Sequence, residues 1–361
     1  MTLYLFNPEH DLALASGLER FTAPHAARQL RHDLGWLPAL WADAGFGEEA
    51  FVLVDDVESA QTQTARYGLG ENIRFVEQSQ LAQLPIDRVD PWGWDIALHS
   101  KLLQAGLCRK ELPAIERLEV VKQHSHRRTA AQLLPRLRME HTVGVAYECS
   151  NREDVDYLLR HYDRLVLKAP WSSSGRGIRF VCGSDGPLSA SVEGWMAHVF
   201  EQQGTVMAEP YYNKIRDLGM EFVSDGQGNV EYTGLSLFHT ENGAYKGNIV
   251  ATEERKWSML GSSAIAETVH GVQQKACSLL GPLLKGKYAG PLGIDMMVVA
   301  PKEHESDLEL HPCVEVNLRR TMGHVALALG KLLNPDGDEE IMYVMRIDYN
   351  GTNYKLQIRH L

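Results

Sequence analysis

The sequence predicts an α/β unit built on a parallel sheet, followed by a longer α+β region of mostly antiparallel strands. Two observations carry this expectation. Over residues 1–115, short β-rich runs at 3–6, 51–54 and 73–76 alternate with helix-forming stretches rich in Ala, Leu, Glu and Arg, the pattern of strand–helix–strand units. Beyond that point β-type runs bounded by glycines and polar turns dominate, at 165–167, 178–181, 206–208, 220–224, 230–238, 291–300 and 308–316.

Between these groups, residues 119–138 carry Thr129, Ala130, Leu133 and Leu134 at helical spacing, so a second unit starts there. A strand is expected over 142–147 and a helix over 152–161. One long helical stretch, 264–284, is expected to cover the antiparallel sheet. The apolar stretch 324–333 is read as a core helix behind the strand that precedes it. The tail, 331–361, ends in strand-like alternation at 343–349 and 354–358, with no partner evident from sequence.

Composition limits the functions open to this chain. Its 361 residues are 44% hydrophobic and 23% charged, enough for two or three packed units around a real core. A formal net charge of -11, from 36 Lys+Arg against 47 Asp+Glu, argues against nucleic acid or an anionic membrane as partner. A small ligand is the expectation. The five cysteines are scattered, without a C-x-x-C pair, which suggests neither a disulfide framework nor a thiolate zinc site. Glu9, His10 and Asp11 interrupt the apolar N-terminal residues, unlike a secretory signal, and no run approaches the roughly 20 apolar residues of a membrane span. A cytoplasmic protein is expected.

Several common site signatures are absent. There is no G-x-x-x-x-G-K-[ST], H-E-x-x-H or G-x-S-x-G, and Gly68-Leu69-Gly70 lacks the third glycine of a dinucleotide fingerprint.

Three segments carry chemistry instead. Lys168 ends the run Leu165-Val166-Leu167 and precedes Ala169-Pro170-Trp171 and the loop Ser172-Ser173-Ser174-Gly175-Arg176-Gly177. Small residues let backbone amides approach phosphate oxygens, and an ammonium holds their charge. The same segment also fits an ordinary turn with a snorkelling lysine. In the second segment, Val314 to Gly323, alternation places Glu315, Asn317 and Arg319 on one face of a strand. A carboxylate and an amide oxygen two residues apart suit a hard cation, although a polar solvent face on an edge strand gives the same pattern. The third is Asp295, alone in the apolar strand Gly293-Ile294-Asp295-Met296-Met297-Val298. An unpaired buried carboxylate is costly, so Asp295 either caps a turn, pairs with an arginine, or, if the two strands are neighbours, joins Glu315 and Asn317 in a metal site.

With these residues in view, the sequence resembles the ATP-grasp superfamily. A strand-terminal Lys before a Ser/Gly loop, a strand ending in Glu-Pro, an Asp strand and then E-x-N-x-R follow the order of that family. The resemblance covers roughly residues 119–330. It implies a pre-ATP-grasp α/β domain (1–115) followed by a two-subdomain ATP-grasp module, with subdomains at 116–205 and 206–361.

It also implies ATP and Mg2+ as cofactors. By position, Lys168 resembles the lysine on the α- and β-phosphates, and Ser172, Ser173, Ser174, Gly175 and Gly177 the phosphate lid. Glu209, Tyr211 and Tyr212 resemble the hinge that reads adenine and ribose, with Asp217 and Glu221 as weaker candidates. Asp295, Glu315 and Asn317 resemble the magnesium ligands. Arg319 resembles the arginine that steadies the transferred phosphate or the substrate carboxylate, and Lys246, in the loop 241–248, a basic residue near the γ-phosphate.

Two departures stand out. His126 occupies the place of a second family lysine, which leaves Arg127 or Lys122 to substitute. Gly290-Pro291-Leu292-Gly293 stands where an arginine usually precedes the Asp strand.

The activity implied is ATP-dependent ligation of a small-molecule carboxylate to an amine or a thiol through an acyl phosphate. A small-molecule kinase and a non-catalytic nucleotide-binding module are the alternatives on the same fold. The segments Asn7-Pro8-Glu9-His10-Asp11 and Trp92-Gly93-Trp94-Asp95 fit either an acceptor pocket or plain capping and packing.

Overall fold

The computed structural model describes residues 1–42, 49–69, 72–172, 177–241, 244–300 and 307–361. In chain order the first elements are β1 (Thr2–Leu5), α1 (His10–Ser16), α2 (His25–Leu34), β2 (Ala50–Leu53), α3 (Val57–Ala65), β3 (Ile73–Val76), β4 (Arg88–Pro91), α4 (Ile96–Gln104) and α5 (Ile115–His124). Next come α6 (Arg128–Leu137), β5 (Tyr147–Cys149), α7 (Arg152–His161), β6 (Arg164–Lys168), β7 (Ile178–Cys182), α8 (Ala190–Gln203) and β8 (Val206–Pro210). The long strands β9 (Lys214–Ser224), β10 (Val230–Glu241) and β11 (Ala244–Val250) lead to α9 (Glu253–Ser258), α10 (Ser263–Leu284), β12 (Gly290–Val299) and β13 (Glu309–Asn317). The chain closes with α11 (Met322–Leu333), β14 (Tyr343–Tyr349) and β15 (Tyr354–His360).

Two compact units result. The first comprises Met1–Lys122, Gly247–Arg255 and Arg319–Leu361, and the second Gln123–Lys246 and Lys256–Leu318.

The first unit holds a four-stranded parallel sheet in the order β3-β2-β1-β4. Alternate residues of each strand serve two cores. Leu3, Leu5, Phe51 and Val76 pack with Leu98 and Leu102 of α4, whereas Tyr4, Phe6, Val52 and Phe75 pack with Leu34 of α2 and Val325 and Leu329 of α11. Burial on both faces is why the runs 3–6 and 51–54, in β1 and β2, are unbroken and apolar. Because β1 lies between β2 and β4, the chain winds first to one side of β1 and then to the other, which opens a crevice at the carboxyl ends of the strands.

The tail, grouped from sequence with the subdomain 206–361, clusters with this unit. β14 pairs with β11 and β15, and Met345 and Leu356 are buried in the core shared with β1 and β2. The helix expected behind the metal-type strand, α11, likewise joins this core.

The second unit contains an antiparallel sheet in the order β5-β8-β6-β7 and an antiparallel array β13-β12-β9-β10. α10 presents Ile265, Val269, Val272, Ala276 and Leu280 as one buried stripe, the covering helix that the spacing predicted.

Three expectations change. The stretch 119–138 breaks into α5 and α6, because His126 Nδ1 accepts the backbone N–H of Arg128 at 2.9 Å and opens a new helix. The strand expected over 142–147 shrinks to Tyr147–Cys149 plus a single bridge from Thr142 to Leu310, since Gly144 takes a φ of 127° that an extended run does not allow. The segment read as a loop around Lys246 is the strand β11 from Ala244 onward, with 242–243 outside the described residues. Among the described residues no helix is long and apolar enough to cross a membrane. All five cysteines are free thiols.

Candidate functional site

Antiparallel pairing of β6 with β8 sets Val166 opposite Glu209 and Lys168 opposite Met207. The two charged side chains meet on one face, with Lys168 Nζ donating to Glu209 Oε2 at 2.6 Å. Both residues are buried, at 6% and 5% exposure, so each charge depends on the other for compensation. Past Lys168, Ala169 N–H bonds Gly177 O at 2.8 Å and closes the base of the loop. A Cβ on Gly177 would collide with Ser172, so a glycine is required for that closure.

On the other sheet, the β12–β13 register sets Asp295 directly opposite Glu315 and Gly293 opposite Asn317. Asn317 Nδ2 donates to Asp295 Oδ2 at 3.3 Å, leaving its amide oxygen as an acceptor. Two carboxylates facing each other across a ladder repel, and the arrangement calls for a cation. Arg127 supplies one: its Nη2 donates to Glu315 Oε2 at 2.9 Å, while its Nη1 donates to Ala169 O at 2.6 Å and Ser172 Oγ at 2.9 Å. One buried guanidinium thus ties the end of β6 to the acidic strands. Among the described residues no group of three or more His, Cys, Asp and Glu side chains is set to hold a metal unaided.

The remaining candidates spread out. After β8, Tyr211 N–H bonds Arg164 O at 2.9 Å, and the Arg164 guanidinium lies 3.9 Å from the Tyr211 ring centroid. The Tyr212 hydroxyl accepts Val145 N–H at 3.2 Å, and burial pushes its pKa up to about 12. Asp217 on β9 accepts from Lys214 and Thr240, both at 2.7 Å. Lys246 pairs with Glu241 at 3.0 Å, both exposed. Arg319 stands where the chain enters the first unit, and there its Nε and Nη2 donate to the two carboxylate oxygens of Asp11 at 3.0 and 2.9 Å. Ser173, Ser174 and Gly175 lie outside the described residues.

Sequence reasoning passed over His311, four residues before Glu315 on β13. It is fully buried, its ring lies edge-on to Tyr212 at 5.4 Å, and neither ring nitrogen has a hydrogen-bond partner. Burial holds its pKa down at about 4, with a smaller push up from Glu209 and down from Lys168. Strand parity offered the signal, because His311 shares the odd-numbered face with Glu315.

Within the first unit, the two unusual segments interlock. Asn7 Nδ2 donates to Gly93 O at 2.8 Å and to Asp95 Oδ2 at 3.2 Å, and His10 Nδ1 lies 3.1 Å from the same carboxylate oxygen. Asp95 also caps α4, accepting Leu98 N–H at 2.8 Å.

No protein-family model matches the sequence, and no curated protein matches it. Solved structures do match over nearly the whole chain. A biotin carboxylase from Campylobacter jejuni in complex with β-γ-ATP is 14% identical with a TM-score of 0.57, covering 98% of this chain and 77% of that one. An N5-carboxyaminoimidazole synthetase from Staphylococcus aureus complexed with ADP is 13% identical with a TM-score of 0.52, covering 96% and 82%. A protein from Archaeoglobus fulgidus assigned to the ATP-grasp superfamily is 14% identical with a TM-score of 0.52, covering 100% and 99%. The similarity of these structures and the element order together establish that this chain has the ATP-grasp fold.

Proposed function

We propose that the protein is an ATP-dependent ligase that activates a small carboxylate as an acyl phosphate and passes it to an amine or a thiol. The observation that carries this reading is the Arg127 bridge, which joins the Lys168 loop end to the paired acids Asp295 and Glu315 through Ala169, Ser172 and Glu315. Similarity in fold to a synthetase complexed with ADP and a carboxylase complexed with β-γ-ATP supports a nucleotide at that place.

Phosphoryl transfer asks a protein mainly for placement and charge neutralisation. Lys168 and Arg127 are buried cations beside the loop that closes on Gly177, suited to the phosphates, with Ser172 and Gly177 bounding the lid. Glu209, held by Lys168, and Tyr211 and Tyr212 after it form the hinge for adenine and ribose, with Asp217 farther along β9. Asp295, Glu315 and the Asn317 amide form a hard-oxygen set that fits magnesium, which takes a few protein oxygens and completes its shell with phosphate oxygens and water. Bound there, the ion would neutralise charge on the transferred phosphate. Arg319 and Lys246 are the proposed basic groups for the substrate carboxylate and the γ-phosphate, each requiring release from its carboxylate partner, Asp11 or Glu241.

Calorimetric titration of ATP with and without magnesium tests the site, using wild type and the Glu315→Ala, Asn317→Ala double variant. Magnesium-dependent binding that weakens by more than about tenfold, or roughly 1.4 kcal/mol, in the variant is expected. Wild-type protein that binds no nucleotide under either condition would sink the proposal. ADP release with carboxylate–amine pairs then separates ligation from a kinase outcome, in which a hydroxyl compound is phosphorylated and no amide forms.

A further inference from the structure

His311 on β13 is fully buried, yet neither Nδ1 nor Nε2 makes a hydrogen bond among the described residues. A buried polar group without a partner costs about 1–3 kcal/mol, so such groups are ordinarily satisfied by water or a ligand. The ring is closely held. Tyr212 lies edge-on to it at 5.4 Å, and a Cβ on Gly144 would stand 2.7 Å from Nε2. Gly144 has a φ of 127°, a backbone conformation that glycine alone adopts without strain.

The surroundings of His311 are those of the proposed nucleotide site, and all lie in the second unit. Glu209 pulls its pKa up and Lys168 pushes it down, each less than burial does. Cys313 stands between His311 and Glu315, and its thiol pKa is pushed up by burial first, then by Asp295, Glu209 and Glu315, with Lys168 opposing. One stretch of β13 thus runs from the hinge residue Tyr212 to the paired acids, and its four residues span at most about 14 Å. A nucleoside triphosphate has that reach from base to terminal phosphates. Burial does not set His311 apart, because Lys168, Glu209, Arg127 and Asn317 are themselves only 5–7% exposed.

Other hinge groups suited to reading a base are already engaged. Tyr211 N–H bonds Arg164 O, Glu209 Oε2 accepts from Lys168, and the Tyr212 hydroxyl accepts Val145 N–H. His311 keeps both ring nitrogens. Burial holds its pKa down at about 4, so the ring is neutral and offers one N–H donor and one lone-pair acceptor. The conventional hydrogen-bond donor on adenine is its 6-amino group, which makes that group the partner for the acceptor nitrogen. We infer that His311 reads the base of the bound nucleotide, its acceptor nitrogen taking a hydrogen bond from the 6-amino group of adenine. This rests on the nucleotide reading and adds to it the residue that sets the preference for adenine.

Purine riboside 5′-triphosphate, which is ATP without the 6-amino group, isolates this contact. Calorimetry in the presence of magnesium compares the two nucleotides in wild type, in His311→Leu, and in His311→Gln, which retains an acceptor. Wild type is expected to bind ATP on the order of tenfold more tightly than the analogue. The ratio should fall to about one in His311→Leu and recover in part in His311→Gln. A general loss of packing weakens both nucleotides alike and leaves the ratio unchanged. A second readout needs no variant: in wild type labelled with 15N-histidine, the unbonded acceptor-nitrogen resonance expected of His311 should move on adding Mg·ATP and stay in place with the analogue. Equal binding of the two nucleotides by wild type, a ratio that survives in His311→Leu, or a resonance that responds alike to both would overturn the inference while leaving the nucleotide site standing. Wild type that binds neither nucleotide would overturn the site and the role of His311 together.

Discussion

His311 shows what a single buried side chain imposes on this protein. An imidazole with both nitrogens unpaired and no exposure is stable only when neutral, and burial holds its pKa at about 4 against an ordinary 6.5. Between those values the unfolded chain binds the proton and the folded chain does not. Stability is therefore fully present above pH 6.5 and is lost as pH falls through about 4, by roughly 3 kcal/mol for a shift of this size. Urea unfolding at pH 7.5 and pH 4 should show this loss in wild type and a smaller one, by about that amount, in His311→Leu. An unchanged pH dependence in the variant would mean that His311 is protonated in the folded state. The same environment explains why the residue was hard to see from sequence: Glu315 and Asn317 are recognisable as an E-x-N pair, whereas a histidine in a strand gains its meaning only from Tyr212 and Gly144, which are remote in the chain.

Between elements, the β1–α1 and β4–α4 turns interlock closely within the first unit. A Cβ on Gly93 would lie 2.7 Å from the His10 ring, which is itself buried and held at Asp95. Gly93→Ala should cost about 1–3 kcal/mol through overpacking, and much less in a His10→Ala background where the ring is gone. Chemical denaturation of the four proteins in this cycle measures the coupling, and equal costs in both backgrounds would place the strain elsewhere. Element legibility followed the same logic. Helices such as α7 and α10, and strands such as β10 and β13, carry patterns long enough to be read, whereas only 220–224 of β9 is legible. β4 was not, because Arg88-Val89-Asp90-Pro91 has too few apolar residues to show a pattern and is recruited by its parallel partner β1. β11 reads as a loop from sequence alone, yet pairing of Asn248–Val250 with β14 makes it a strand.

At the scale of the whole chain, the order of elements was legible but their allocation was not, since the first unit gathers three separated segments and only tertiary packing reveals that Met345 and Leu356 share a core with Tyr4 and Val52. This allocation yields a test of the proposed nucleotide site. A ligand that binds the folded state slows hydrogen exchange in the elements it stabilises, and least in units that it does not touch. Adding Mg·ATP should slow exchange in β6, at residues 209–213 and in β13, all in the second unit, and least in the first unit. Protection by nucleotide confined to the first unit would contradict the role given to Lys168, Arg127 and Glu315, because a cradle built from those side chains cannot bind phosphates without stabilising the strands that carry them.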